Sequence, residues 1–364
     1  MTDRYAPFRD IAKDLNVDAV ALVPGANFTR LFGKAFASQE RPLVVVVPQN
    51  GPPAAVVPNL ELTSFALLGF EGEAFDWRDQ SGYHDAFAAM AAHLPLKSIA
   101  VEGQVMRVFV DQALRRAYRD IKIIDAEPEI SALRMEKTPA EIASLEEAIR
   151  ISEAALQTVI DSVKVGQSEK DIERKLIATL FEKGGEGLSF PPIVAAADNA
   201  ARPHAKARED YAIKAGDALL FDFGAIKGGI CADITRTFFV GHATDKAAEI
   251  YETVRKANIR GLEALKPGAT AHEVDDAATR VLEDSAYAEF IRHKTGHGLG
   301  REVHEAPYIM RGNDQIMRPG MVVTIEPGLY VDGELGVRIE DDVLVTEGGC
   351  RSLTTFAKDL TIIG

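Results

Sequence analysis

The chain has 364 residues, a net charge of -14 and an apolar fraction of 46%, so its length favours two domains with ordinary hydrophobic cores. The acidic balance argues against nucleic acid or an anionic membrane as the main partner. The two cysteines cannot form a disulfide framework, the N-terminal stretch lacks a signal-peptide pattern, and no apolar run approaches membrane-spanning length. We therefore expect a cytoplasmic protein.

Residues 1–130 alternate helical and strand patterns. Apolar residues at helical spacing predict helices in PFRDIAKDL and GYHDAFAAMAAHL, whereas the short apolar runs PLVVVVP and SIAVEG predict buried strands. This part of the sequence contains no Gly-rich phosphate loop and no cluster of catalytic side chains. We therefore predict an α/β N-terminal domain without a catalytic cluster.

A second domain, residues 131–364, is predicted to begin just before a long helix. Thr138 and Glu141 have the spacing of a capping box, and Pro139 occupies the first helical position. The helical pattern that follows continues to about residue 163.

The second domain contains an internal sequence repeat. Residues 163–173 resemble residues 265–275 at a shift of 102, and each copy has a helix N-cap, Ser168 or Thr270. KAGDALLFDFG resembles RPGMVVTIEPG at a shift of 104. Two copies of helix, helix and β-hairpin are implied, so we predict a duplicated fold with pseudo-twofold symmetry and a site between the halves.

Each predicted hairpin offers two carboxylates. Asp222 and Asp233 lie eleven residues apart in FDFGAIKGGICADITRTFFV, and Glu326 and Glu340 lie fourteen apart in a second β-patterned stretch. Taken alone, each could be a hydrogen-bonded strand residue, but four acids on apolar strands need cations nearby. With His297, between the pairs in a glycine-rich segment, they form an oxygen-rich set that suits two divalent metals bridged by shared carboxylates.

Other polar side chains lie near these five in sequence. His293 and His304 flank His297, and His204 precedes the first hairpin. Arg338 lies two residues before Glu340 on a strand pattern, so both side chains should face the same side. Arg338 could support a ligand carboxylate or contact substrate.

At these residues the chain resembles the pita-bread metallopeptidases: prolidase, aminopeptidase P and methionine aminopeptidase, with the metal-free relative creatinase. The segments FDFG…ADITRTF, GHGLGREVHEAP, TIEPG and GVRIED are similar to that family's metal motifs in order and spacing. The resemblance is strong over about residues 138–364. It implies an α/β N-terminal domain like that of the proline-specific members, followed in the chain by an α+β pita-bread C-terminal domain.

The resemblance also implies a ligand set for two divalent ions, of manganese, cobalt, zinc or iron. Asp222 would bind one ion through both oxygens, Asp233 and Glu340 would bridge the pair, and His297 and Glu326 would complete the other position. Glu326 would also carry the proton as general base and acid.

Substrate roles follow from the same resemblance. His204 and His304 would stabilise the tetrahedral intermediate or the bound substrate, His293 would line a proline pocket, and Arg338 would orient the site. Dipeptidases of the family often have Arg directly after the HE-x-P motif, where this chain has Tyr308, with Arg311 three residues later. Tyr308 is therefore a further candidate substrate contact, and this departure leaves dipeptidase and aminopeptidase activity both open.

The implied activity is hydrolysis of the bond between an N-terminal residue and proline, by a homodimer. Two alternatives stay open from the sequence. One is a creatinase-like C–N hydrolase, against which the presence of all five ligands argues. The other is a non-catalytic peptide- or partner-binding module on the same fold, which loss of a ligand would mark.

Overall fold

The computed structural model describes residues 3–37 and 39–364. The chain divides after Arg134 into two compact units. Among the described residues, no helix combines the length and the apolarity needed to cross a membrane.

The N-terminal unit is built around one mixed sheet. Its strands are β1 Ala19–Leu22, β2 Val44–Pro48, β3 Ala54–Pro58, β4 Glu73–Trp77, β5 Ser98–Val101 and β6 Lys122–Asp125. Its helices are α1 Ala6–Asp14, α2 Ala26–Phe32, α3 Leu62–Ala66, α4 His84–His93, α5 Val108–Ala117 and α6 Glu127–Ala132. The strand order is β4-β3-β2-β1-β5-β6, and only the β1–β2 and β2–β3 pairs are antiparallel.

Burial explains the strand sequences of this unit. β1, β2 and β3 are buried along their whole length, because apolar clusters cover both faces of the sheet. Strands covered on both sides read as continuous apolar runs rather than as alternating patterns. The predicted α/β architecture is confirmed.

The C-terminal unit combines four long helices with several small sheets. Its helices are α7 Pro139–Ile160, α8 Glu169–Glu182, α9 Asp245–Ala264 and α10 Ala271–Glu283. The strands of its first half are β7 Gly187–Leu188, β8 Ile193–Ala196, β9 Ala218–Phe223, β10 Ala225–Lys227, β11 Ile230–Cys231 and β12 Ile234–Val240. Those of its second half are β13 Gly296–Gly298, β14 Glu305–Ile309, β15 Val322–Ile325, β16 Gly328–Val331, β17 Leu335–Arg338, β18 Asp341–Thr346, β19 Gly349–Ser352 and β20 Ile362–Ile363.

Each half of this unit repeats one order of elements. Two helices precede a long antiparallel pair, β9 with β12 in one half and β15 with β18 in the other. Inside each long pair lies a short hairpin, β10–β11 or β16–β17. The predicted arrangement of helix, helix and β-hairpin is thus present twice.

The predicted helix starts are also present. Thr138 and Glu141 form a reciprocal capping box at the start of α7. Ser168 caps α8 and Thr270 caps α10, each by accepting a hydrogen bond from a backbone N–H of the first turn.

Candidate metal centre

The four carboxylates and His297 meet in the C-terminal unit. Their oxygen and nitrogen atoms form overlapping groups in which all atoms lie within 4.8 Å of one another. Two of these groups are Asp222–Asp233–Glu340 and His297–Glu326–Glu340. A third joins Asp233 and His297 to His304. Residues separated by more than a hundred positions therefore share one site.

Three of the four acids lie where strands meet rather than within strands. Asp222 is inside β9, as its apolar neighbours predicted, but Asp233 directly precedes β12. Glu326 follows β15, and Glu340 lies between β17 and β18. These three acids therefore lie at the ends of strands, where their side-chain atoms meet those of Asp222 and His297.

The glycines around His297 serve the backbone rather than a ligand. A Cβ at Gly296 would overlap the carbonyl oxygen of Thr324, and one at Gly298 would overlap that of Ala306. These neighbours belong to β15 and to β14, so glycine lets β13 fit between two strands.

His297 turns a bare nitrogen toward carboxylates. Its Nδ1 lies 3.1 Å from the carbonyl oxygen of Gly298, and since a carbonyl only accepts, Nδ1 carries the proton. The other ring nitrogen, Nε2, lies 3.2 Å from Glu326 Oε1 and 3.7 Å from Asp233 Oδ2. A lone pair facing two carboxylates calls for a cation between them, and this orientation of the ring is usual for metal-binding histidine.

Burial makes the acid cluster strongly dependent on positive charge. Asp222 is 8% exposed, Asp233 3% and Glu340 2%. Burial, followed by repulsion from neighbouring carboxylates, raises the pKa of Asp233 and of Glu340 well above the usual range. Oδ1 of Asp233 is buried and has no hydrogen-bond partner. A buried carboxylate oxygen without a donor, among three other acids and an imidazole, fits divalent metal ligation.

Hydrogen bonds from neighbouring side chains hold these acids in place. Arg338 donates to Asp222 and, through Nε, to Thr235 Oγ1 at 3.1 Å. Thr235 donates to Glu340 Oε2 at 2.6 Å. Arg338 also donates to the Tyr330 hydroxyl, which lies 2.7 Å from Nε2 of His293. Arg338, Thr235 and Tyr330 therefore fix two of the acids and one histidine.

A second set of contacts fixes the backbone next to Glu340 and Asp233. The fully buried Arg236 donates to the carbonyl oxygen of Glu340 at 2.6 Å and to Asp341 Oδ1 at 2.8 Å, and Lys358 Nζ lies 2.7 Å from the other oxygen of Asp341. Asp342 Oδ2 accepts the backbone N–H of Asp233 at 3.0 Å. The contacts of Arg236 and the Asp233–Asp342 contact join the first half of the unit to the second, whereas the Lys358–Asp341 pair lies within the second half.

The acids open into a cavity of about 480 Å³. Every predicted site residue except Tyr308 lines it, and its apolar wall includes Phe190, Ile193 and Val303. Tyr308 lies outside this lining and turns its ring toward the ammonium group of Lys294, 5.5 Å away.

His304 lies at the edge of the acid cluster. Its ring centroid is 4.1 Å from that of His297. Burial, followed by the nearby His297, lowers the pKa of His304 to about 4. A neutral imidazole at this place has one N–H to donate and one nitrogen that can accept.

Sequence reasoning missed several residues of the site, among them Thr235, Tyr330, Lys294 and Asp342. Thr235 is two positions from Asp233 and Lys294 directly follows His293, so proximity in sequence was an available signal for both. Tyr330 and Asp342 act through partners far along the chain, which no local pattern reveals.

Comparison with known families and structures supports this reading. Residues 143–347 match the profile of metallopeptidase family M24, and residues 4–136 match that of the creatinase/prolidase N-terminal domain. The chain belongs to metallopeptidase family M24. Membership of this metallopeptidase family, together with the buried acid cluster, makes it a metal-dependent peptidase.

The M24 chain is similar to proline peptidases along its length. It is 36% identical to an Xaa-Pro dipeptidase from Pyrococcus furiosus over 72% of this chain and 75% of that one. A prolidase structure from Thermococcus sibiricus superposes with a TM-score of 0.93, at 32% identity, covering 99% of this chain and 98% of that one. An X-Pro aminopeptidase from Thermotoga maritima superposes with a TM-score of 0.84, at 29% identity, covering all of both chains. The predicted two-domain pita-bread architecture is confirmed.

Proposed function

We propose that the protein hydrolyses the peptide bond between an N-terminal residue and proline. The observation that carries this proposal is the convergence of three buried carboxylates, the half-buried Glu326 and Nε2 of His297 on one cavity. The relatives named as Xaa-Pro dipeptidase, prolidase and X-Pro aminopeptidase support proline as the second residue of the substrate. Those names leave dipeptidase and aminopeptidase activity both open.

Two divalent ions are proposed, held by Asp222, Asp233, His297, Glu326 and Glu340. Asp233 belongs to two of the three atom groups described above, and so does Glu340, which supports the proposal that these two acids would be shared by both ions. When bound, manganese, cobalt, zinc or iron would supply Lewis acidity and lower the pKa of water.

The side chains of the cavity provide the proton transfers and the orientation. Glu326, at 3.2 Å from His297 Nε2 and on the cavity wall, takes a proton from the attacking water and passes it to the proline nitrogen as that bond breaks. His304 and His204, which also line the cavity, donate hydrogen bonds to the oxygen of the scissile carbonyl as negative charge develops there.

A proline pocket is proposed on the apolar side. Phe190, Ile193 and Val303 give a ring of five atoms an apolar surface next to the acids. His293 lines the same cavity, and its Nδ1 donates to the carbonyl oxygen of Lys294 at 2.7 Å, so Nε2 accepts the Tyr330 hydroxyl. With both nitrogens occupied, the ring presents its face and edge to substrate rather than a free donor.

The family likeness supports a homodimer, which light scattering would test. Both cysteines are free, which supports a reducing compartment such as the cytoplasm.

The activity is tested with Mn(II)-loaded protein on three peptides: Ala-Pro, a longer peptide beginning Ala-Pro, and a proline-free control such as Ala-Ala-Ala. Hydrolysis of the first or second without the third is expected. Equal hydrolysis of all three would refute proline specificity, and hydrolysis of none would refute the peptidase assignment for these substrates.

A further inference from the structure

Arg311 does not replace the arginine that is missing at position 308. Its guanidinium pairs with Glu283 at 2.6 Å and with Asp276 at 2.9 Å, two acids on α10. Arg311 is absent from the lining of the cavity. If the substrate carries a carboxylate, its partner is therefore a different cation from Arg311.

Three cationic side chains line the cavity: Arg292, Lys294 and Arg338. Two of them already form ion pairs with carboxylates of the protein. Arg338 binds Asp222, and Arg292 pairs with Asp332 at 3.0 Å. For Lys294, no carboxylate of residues 3–37 or 39–364 lies within the 4.0 Å that defines an ion pair. Lys294 is thus the cavity cation whose charge is left for a ligand.

The surroundings of Lys294 hold the ammonium group without neutralising it. Nζ lies 5.5 Å from the centroid of the Tyr308 ring, within the range of a cation–π contact. Such a contact orients the ammonium group but leaves its positive charge unneutralised, because an aromatic face attracts a cation and carries no net charge. Lys294 is only partly exposed. Because less water surrounds its ammonium group, a carboxylate is attracted to it more strongly than to a fully solvated lysine.

We propose that Lys294 binds a carboxylate of the substrate and so sets the substrate class of this site. This proposal rests on the proposed peptidase function. In an Xaa-Pro substrate a carboxylate has two sources: the C-terminus of a dipeptide, or the side chain of an acidic first residue. The first source makes the enzyme a dipeptidase, and the second makes it selective for Asp or Glu ahead of proline.

Lys294→Met tests the proposal, because methionine keeps much of the length and loses the charge. Lys256→Met is the matched control, since Lys256 is 62% exposed on α9 and lies outside the cavity. Each Mn(II)-loaded protein is assayed for kcat and KM on Ala-Pro, Ala-Pro amide and Asp-Pro amide. The amides remove the C-terminal carboxylate, and only the last carries an acidic side chain.

A selective loss in kcat/KM of about 10- to 100-fold, mainly through KM, is expected from losing one charge-assisted contact. Loss on Ala-Pro alone identifies the C-terminal carboxylate, and loss on Asp-Pro amide alone identifies the acidic side chain. Loss on both, with Ala-Pro amide spared, shows that Lys294 serves both carboxylates. Lys294→Arg, which restores the charge, should recover most of the loss.

The proposal is overturned if Lys294→Met changes kcat/KM equally on all three substrates, or on none, while Lys256→Met behaves as wild type. If Lys294→Met fails to fold, Lys294→Gln and Lys294→Arg are compared instead, and equal selectivity in those two overturns the proposal. A wild-type protein that cleaves Ala-Pro, with selectivity indifferent to Lys294, leaves the peptidase function intact. A wild-type protein that cleaves none of the peptides refutes both.

Discussion

Arg338 and Asp222 form a buried ion pair at the wall of the acid cluster. The guanidinium occupies one oxygen of Asp222 while its other nitrogens hold Thr235 and Tyr330. Arg338 therefore orients Asp222 and does not stand free as a substrate contact. Of the two roles that the sequence left open for Arg338, the geometry favours support of a ligand carboxylate.

Replacing Arg338 by Lys should lower kcat/KM by about tenfold or more, because one ammonium group cannot reproduce the forked set of contacts. Metal titrations followed by activity would show a weaker apparent metal affinity in the variant. Arg351→Lys is the control, since Arg351 forms an exposed ion pair with Glu146. Unchanged metal affinity and turnover in Arg338→Lys would contradict the orienting role.

Tyr330→Phe should destabilise the fold by about 1–3 kcal/mol, because it leaves a buried nitrogen of His293 and one of Arg338 without their partner. Urea denaturation measures the effect. Tyr287→Phe removes an exposed hydrogen bond to Glu249 and should change stability by no more than about 0.5 kcal/mol. Equal effects in the two variants would show that the buried network contributes nothing special.

His304→Ala should reduce turnover by about a hundredfold while the metal content stays at the wild-type level. His304 lies against His297 and within the atom group that includes Asp233, so ligation is the competing reading. Elemental analysis of the purified variant separates the two. A variant that loses metal in parallel with activity would make His304 a ligand.

Gly224→Ala should prevent the first hairpin from closing. A Cβ at Gly224 would overlap the carbonyl oxygen of Ala232, between Asp222 and Asp233 in the chain. Low yield of folded protein and loss of metal binding are expected, as judged by circular dichroism and elemental analysis. Gly348→Ala is the control, because a Cβ at Gly348 meets no atom within 4 Å. A Gly224→Ala protein with wild-type stability would show that the strands can separate at no cost.

The long, strongly patterned elements of this fold were predictable from sequence. α7 begins at its capping box, and β2 consists mainly of an uninterrupted run of valines. β4 and β6 were not predicted, because β4 is mostly exposed and no residue of β6 is buried, so neither has the buried apolar run that predicted β2 and β5. Short strands take their conformation from pairing with neighbours, which the local sequence does not contain.

The ligands of the site were predictable because their types and spacing are unusual, whereas their supports were not. Asp341 and Asp342 follow Glu340 and read as exposed acids, yet both are fully buried. Arg236 and Lys358 supply the compensating charge to Asp341 from other parts of the chain. Burial of an acid beside a distant cation is a tertiary property, so composition alone cannot reveal it.

The most direct test of the metal assignment is the metal content of wild type and Asp233→Asn, purified identically, equilibrated with Mn(II) and then dialysed. Asparagine keeps the size of Asp233 but removes a charge from the residue placed to bridge both positions. We expect about two ions per wild-type chain, clearly fewer in the variant, and loss of Ala-Pro hydrolysis. A wild-type chain that retains no ion, or an Asp233→Asn chain with full metal and full activity, would contradict the account.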